Sequence, residues 1–522
     1  MSSPPRPLRI LIQTSCYCVI DGVTSTIRKI ESHLLQSDPL CEICILTTCS
    51  GDLRNVDKYL ESIPLELHTE VVKRRSIIFV EALKLPVMEI YEYQLGLRLN
   101  VSARNAIKKF NPSIIHSTVP DLLNLDLLTY AHTTQTRYIA TFHSDYILYM
   151  DYYEASWIKI ILENYMRHTY SFTPELYVPT EYYRRLLRSP DYNLKECVEV
   201  KMWGRPVDLR KFNREHRSEE WRKKMGFNID DVVVCYCGRL VVEKNPERYI
   251  QVMEKLKGRD NNNNNVKGLV IGDGPYLKII QERLEEDYVK CTGWLGQPEL
   301  SVAYASSDIF LFPSGCETFG NVTLEACASG LPVIVEGGCS EHLVENNGYA
   351  ITKQEEYYMR TLEIIEDKEL RKRMAENSVE VSKQFDMETV CDKMVKIYEN
   401  AKPPKNDAPD NIFNFPWGRD AHPWALVGVE VVFWILCTSW VQLTKLYEYS
   451  KRTPVLNVVV VLILRLFGLL QFGVNRLMSK KKEKEGGGGG SGGGGMTERV
   501  GGMLGLAFCK FLARKPVQPK VT

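Results

Sequence analysis

Two glutamates eight residues apart, Glu317 and Glu325, carry the clearest chemistry in the chain because of what lies between them: Thr318, Phe319, Gly320 and Asn321, a turn at the mouth of a helix. An ionised carboxylate accepts several hydrogen bonds and donates none, so it suits a hydroxyl-rich group and repels a phosphate. A helix N-terminus does the opposite, since its free N–H groups and the helix dipole attract anions. Gly320 lets a ligand come close to that backbone. Taken in order, the stretch fits a sugar hydroxyl at Glu317, a diphosphate at the amides of Phe319, Gly320 and Asn321, and a ribose at Glu325, two turns into the helix. That ligand is a nucleotide sugar. The bland alternative is a pair of solvated helix carboxylates.

The elements that would hold these groups form one strand–helix–strand unit. Ile309 to Pro313 is an apolar strand, Ser314 to Cys316 a small-residue turn, and the helix after Gly320 ends near Gly330. Leu331 to Val335 is a second buried strand, closed by the turn Gly337-Gly338. In open α/β sheets, ligands sit outside the carboxyl ends of the strands, which is where Glu317 falls.

The same logic extends upstream. Asp231 to Gly238 is an apolar strand ending at Arg239 and Lys244, with a helix starting near Asn245-Pro246. Two cations beside a helix start can trap an anion, although one such pair is more often ordinary surface. Gly272, Asp273, Gly274 and Pro275 form a glycine loop after another strand and border the expected nucleotide. In the first half, Leu8 to Gln13 is a strand, Asp21-Gly22 a turn, Val23 to Leu35 an amphipathic helix and Cys44 to Thr48 a second strand. This is a Rossmann-like start, without the G-x-G-x-x-G of nicotinamide binders. Tyr138 to Phe142 is a strand with His143 at its end. From the residues alone, His143 fits a capped core position as well as an active-site one.

The E-x7-E spacing, with ASGLPV closing the helix, resembles the retaining glycosyltransferases of family 4, which have the GT-B fold: two Rossmann-like, doubly wound α/β domains facing a cleft. The companion motifs GRL…EKN, GDGPY, TG-x-L and AYAS-x-D extend the resemblance over roughly residues 8 to 400, and their order is similar to that of sulfoquinovosyl-diacylglycerol synthases. The resemblance implies that Arg239 and Lys244 clamp the diphosphate, that Gly22 faces it, that His143 lies beside the transferred sugar, and that the base is read around Thr292 to Leu295. It implies a front-face transfer with retained configuration, in which the leaving phosphate takes the acceptor proton. No metal and no cofactor are called for, only a nucleotide sugar, with a UDP-sugar expected first. The expected acceptor is a lipid such as diacylglycerol. A phosphoinositide, a sphingolipid or a soluble acceptor is the alternative, and a non-catalytic membrane scaffold is the rival of another class. The chain departs from the family at Pro206, where a small residue is usual, and this implies a stiffer domain exit.

Length and composition agree with an enzyme of several domains. The chain has 522 residues, 44% hydrophobic and 25% charged, and a net charge of +1, which gives no case for a nucleic-acid partner. Its 15 cysteines are scattered, several of them on apparent strands (Cys16, Cys18, Cys44, Cys235, Cys237), and Cys41 with Cys44 lacks the second pair a zinc site needs. Reduced core thiols are the simpler reading.

The expected division is an acceptor domain over 1–212, a nucleotide-sugar domain over 213–400, a linker over 401–423 and a membrane hairpin over 424–477. Its apolar runs are Ala425 to Val441 and Val455 to Val474, each carrying one ion, Glu430 and Arg465. A basic tail at 478–485 follows, then a Gly/Ser linker of engineered appearance at 486–495. Residues 496–522 read as a fused small subunit, with a membrane-surface anchor as the alternative. These features place the catalytic part on the cytosolic face of an endomembrane, with the endoplasmic reticulum expected. The asparagine run at 261–265 reads as a surface insertion.

Overall fold

The computed structural model describes residues 7–404, apart from 16, 19–20, 49–72, 81, 85–93, 97, 153–158, 190–191, 193, 195–197, 260–264 and 339. The expected linker beyond 404, the hairpin, the basic tail, the Gly/Ser linker and the fused peptide lie outside the described residues, as does nearly all of the asparagine run. Among the described residues no helix is long and apolar enough to cross a membrane.

Two parallel sheets make up the described chain, and both belong to one compact unit. The first has seven strands: β1 (Arg9–Thr14), β2 (Glu42–Thr47), β3 (Arg75–Phe79), β6 (Ile114–Ser117), β7 (Arg137–Thr141), β8 (Glu175–Val178) and β9 (Glu199–Met202). A small antiparallel ladder, β4 (Ala82–Lys84) with β5 (Gln94–Gly96), stands apart. The order is β3-β2-β1-β6-β7-β8-β9, so the winding reverses between β1 and β6. The second sheet has β10 (Val232–Cys237), β11 (Val266–Ile271), β12 (Val289–Gly293), β13 (Ile309–Phe312), β14 (Val333–Glu336) and β15 (Gly348–Ile351), in the order β12-β11-β10-β13-β14-β15. It reverses between β10 and β13, where Val234 pairs with Ile309 and Cys235 with Phe310.

Strands buried on both faces need continuous apolar runs. Ile10, Leu11 and Ile12 in β1, Val233 to Cys235 in β10 and Ile309 to Leu311 in β13 are all fully buried. The described cysteines are mostly buried in this core. Cys44, Cys235 and Cys237 lie on strands as expected, but Cys18 lies in the turn after β1, and Cys16 is outside the described residues. Burial pushes the thiols of Cys41 and Cys44 up, to about 12 and about 11, as suits inert core groups.

The helix Met387–Asn400 follows the second sheet in sequence yet packs into the core of the first: Val390, Cys391, Met394 and Tyr398 cluster with Ile10, Ile12, Ile30 and Leu34. Tyr398 also hydrogen-bonds the buried His116 at 2.8 Å. A boundary drawn at 400 by sequence order therefore does not follow the packing. This helix is amphipathic, and its apolar face packs against buried Ile27, Ile30 and Leu34 of the helix Gly22–Ser37.

Candidate functional site

The loops leaving β10 and β13 are the two that flank the reversal of the second sheet. The β13 loop carries Glu317, and the β10 loop carries Arg239 and Lys244. Lys244 ends a single 3-10 turn, Val242–Lys244, and Asn245 follows in the left-handed region at φ 50°. Pro246 then opens the helix Pro246–Arg259, as its fixed φ and missing N–H favour. The Tyr236 hydroxyl lies 3.3 Å from the Arg239 carbonyl and 3.2 Å from that of Lys244, which ties this loop to β10.

Lys244 Nζ donates to Glu317 Oε1 at 2.5 Å and to the Cys316 carbonyl at 2.8 Å. Ser314 Oγ donates to the same carboxylate oxygen at 3.0 Å. An ammonium has three donors, and two are accounted for here. Arg239 is looser: its Nη2 lies 3.7 Å from Glu243 Oε1 and its side chain is 40% exposed. Among the described residues, no group of three His, Cys, Asp or Glu could hold a metal.

Gly320 starts the helix Asn321–Ala328 in the left-handed region, at φ 87°. A Cβ there would lie 2.4 Å from Ser340 Oγ, so glycine is needed for both conformation and space. Because the helix begins only after this turn, Glu325 sits one turn into it, not two, and the helix ends at Ala328. Burial raises the Glu325 carboxyl to about 7, against the lowering effect of the Lys29 charge. Burial also lowers Lys29, and its amine donates to the Pro206 carbonyl at 2.8 Å.

From the first sheet, His143 lies two residues beyond β7, 6% exposed, with Nε2 buried and unpartnered. Burial, then the charges of Arg205 and His116, hold its imidazole well below the usual range, so it is neutral. Several contacts join the two sets of loops. Thr318 Oγ1 donates to the His143 carbonyl at 2.7 Å, Tyr183 OH to the Glu317 carbonyl at 3.3 Å, and Asn321 Nδ2 to the Gly22 carbonyl at 3.4 Å.

These residues surround a cavity of about 420 Å³. Of the residues expected from sequence, Gly22, His143, Arg239, Lys244, Gly272, Glu317, Phe319, Gly320, Asn321 and Glu325 line it. Gly272 lies so near the Gly238 carbonyl that a Cβ would come within 2.0 Å of it. Gly274 and Thr292 are not part of the lining; their neighbours Asp273, Trp294 and Leu295 are. Thr292 instead turns its hydroxyl to the Gly293 carbonyl at 2.9 Å. Sequence reasoning missed Asp21, Ser144, Tyr149 and Arg205, which also line the cavity. Residues that stand alone outside any motif carry no spacing signal. The exposed Trp294 falls within the stretch Thr292 to Leu295 where the base was expected.

Comparison with known proteins matches both halves. Residues 64–211 match the family described as Glycosyltransferase Family 4, and residues 217–381 match Glycosyl transferases group 1. The sulfoquinovosyl transferase of Arabidopsis thaliana is 26% identical over 66% of this chain and 62% of its own length, so the match spans a little under two thirds of that relative. The alpha-monoglucosyldiacylglycerol synthase of Streptococcus pneumoniae is 25% identical over 63% of this chain and 71% of its own. Among solved structures, sucrose-phosphate synthase from Thermosynechococcus elongatus superposes with a TM-score of 0.58 at 16% identity, covering 75% of this chain and 98% of that one, and it shares the GT-B arrangement of two Rossmann-like sheets. With one match to each half and the two in sequence order, the chain belongs to the family 4 glycosyltransferases, its second half being their group 1 domain.

Proposed function

We propose that the protein moves a hexosyl group from a nucleotide diphosphate-sugar to a lipid acceptor such as diacylglycerol, with retention of configuration and without a metal. The observation that carries this reading is the Lys244–Glu317 contact of 2.5 Å, set one turn ahead of Gly320 and the free amides of its helix. One donor of Lys244 remains for an anion beside the carboxylate, so sugar and diphosphate have adjacent, opposite partners. Glu317 accepts from sugar hydroxyls, and Glu325 accepts from the ribose. Arg239, Lys244 and the amides near Phe319 and Gly320 offset the charge of the departing diphosphate. A UDP-sugar is the first donor to test.

The lipid acceptor is supported by the diacylglycerol-directed name of the pneumococcal relative and by the apolar runs at 425–441 and 455–474. Those runs support a membrane-attached enzyme whose catalytic part faces the cytosol, and residues 496–522 fit a separate small subunit. The full chain, reconstituted in vesicles with total lipid extract, is offered UDP-, GDP- and ADP-hexoses, and the lipid phase is read by mass spectrometry. A new glycolipid from one donor is expected. Transfer only to water-soluble acceptors would reject the lipid assignment.

A further inference from the structure

The wall of the cavity formed by the first half contains a cation that the proposed reaction does not use. Arg205 is 3% exposed and lines the cavity beside His143. Its guanidinium lies over the Trp203 ring, 5.1 Å from the centroid, and Nη2 donates to the Phe142 carbonyl at 3.0 Å. Among the described residues, no acidic side chain lies within ion-pair distance of it. The nearby carboxylates are engaged elsewhere: Asp21 caps its own helix through the Thr24 amide at 2.7 Å, Asp208 faces Arg210 at 3.3 Å, and Glu317 holds Lys244. Burial lowers the guanidinium to about 9, with no offset from any carboxylate. His143, edge-on to the same tryptophan at 6.5 Å, is neutral and offers no countercharge.

A buried, positively charged group without a counterion is costly, and interiors rarely tolerate one unless an anion arrives from outside. A guanidinium has five N–H donors in a fixed fork, and one of them is accounted for here. The diphosphate has its own partners across the cavity, on the β10 and β13 loops. We propose that Arg205 binds an oxyanion other than the donor diphosphate: a carboxylate, sulfonate or phosphate carried by the transferred sugar or by the acceptor. It acts as a specificity-determining residue of the first half. The inference rests on the nucleotide-sugar reading above and narrows it, since at least one of the two substrates must then be acidic.

The test compares kcat/KM of the full chain in vesicles for three substrate pairs: UDP-glucose with diacylglycerol, UDP-glucuronate or UDP-sulfoquinovose with diacylglycerol, and UDP-glucose with phosphatidylinositol. Each pair is repeated with the GDP form where that nucleotide binds. The inference expects one acidic pair to exceed the neutral pair at least tenfold. The second pair places the anion on the sugar, and the third places it on the acceptor. In Arg205→Gln the acidic-to-neutral ratio is expected to fall at least tenfold, with UDP affinity by calorimetry within twofold, while Arg205→Lys retains part of the ratio. A neutral pair that matches or beats both acidic pairs in the wild-type chain overturns the inference without any variant. So does an Arg205→Gln chain whose UDP affinity collapses, because Arg205 would then be a diphosphate ligand. If the chain binds no nucleoside diphosphate at all, the parent reading falls and takes this inference with it; binding with a neutral preference removes this inference alone.

Discussion

Thr318 Oγ1 donates to the backbone carbonyl of His143 at 2.7 Å, which links the residue after the sugar-facing glutamate to the residue beyond β7. The two sides of the cavity therefore meet through a side chain that can be altered without touching a charge. Thr318→Val removes one hydrogen bond, worth about 1 kcal/mol. Donor KM is expected to rise about fivefold by initial rates, with Thr318→Ser near wild type. An unchanged KM in the valine variant would mean the contact has no part in holding the donor site closed.

The Lys244–Glu317 pair is half-enclosed, with side chains 11% and 13% exposed. Removing one partner from such a pair leaves a charge without compensation and costs about 3 kcal/mol. Lys244→Met is expected to lower the thermal midpoint and to reduce kcat/KM by about 100- to 1000-fold, the loss typical of a group that stabilises developing charge. The double variant Lys244→Met/Glu317→Gln should regain stability and stay inactive. Turnover by that double variant would refute both assignments.

Glu325 gives the donor site a pH dependence of known sign. Its proton is held more tightly in the folded chain, at about 7 against 4.5 for an unperturbed glutamate. Folding therefore takes up a proton between those values, so the contribution of Glu325 to stability is greatest below 4.5, is lost as pH rises towards 7, and changes little above that. Ribose binding needs the ionised form. Donor affinity is expected to strengthen about tenfold between pH 6 and pH 8, following the ionised fraction. Glu325→Gln should flatten that slope, and calorimetry at the two pH values decides it.

His143 is neutral through this range, so it should add no limb to the pH–rate profile. The acid limb near 7 is expected to persist in His143→Gln and to vanish in Glu325→Gln. Loss of substrate positioning by His143→Gln should lower kcat by about tenfold to a hundredfold. A limb that shifts with the histidine would assign the titration to the wrong residue here.

Gly320 tests the turn itself. Gly320→Ala must hold φ 87° and bring a methyl to 2.4 Å from Ser340 Oγ. A loss of about 1–3 kcal/mol in unfolding free energy is expected from the backbone conformation alone. Adding Ser340→Gly should relieve the contact and recover only part of the loss, as measured by denaturant unfolding.

Much of this architecture was legible because its signals are local. The strands before Gly22, Arg239 and Glu317 fall within a residue or two of their expected bounds. Glu317, Gly320 and Glu325 could be read from spacing because one turn and one helix carry all three. Arg205 and Tyr149 could not, since each reaches the cavity only through the meeting of segments distant in sequence. Thr292 and Gly274 fall outside the cavity lining while Asp273, Trp294 and Leu295 beside them belong to it, because a motif's position along the chain does not say which of its residues reaches the cavity. The helix Met387–Asn400 falls within the expected 213–400 segment yet packs with the first sheet, because chain order says nothing about which partner an amphipathic face will choose.

That returning helix means that, among the described residues, the polypeptide crosses between the halves near Val207 and again near Phe385, where the Val207 amide meets the Phe385 carbonyl at 2.9 Å. Two adjacent tethers favour rotation about this doubled seam over sliding of one half past the other. It also sets where the gene can be cut. A fragment ending before Tyr398 would strip His116 of its phenol partner and Arg137 of the carbonyls of Tyr398 and Glu399, unravelling the first lobe from a break made downstream of the second.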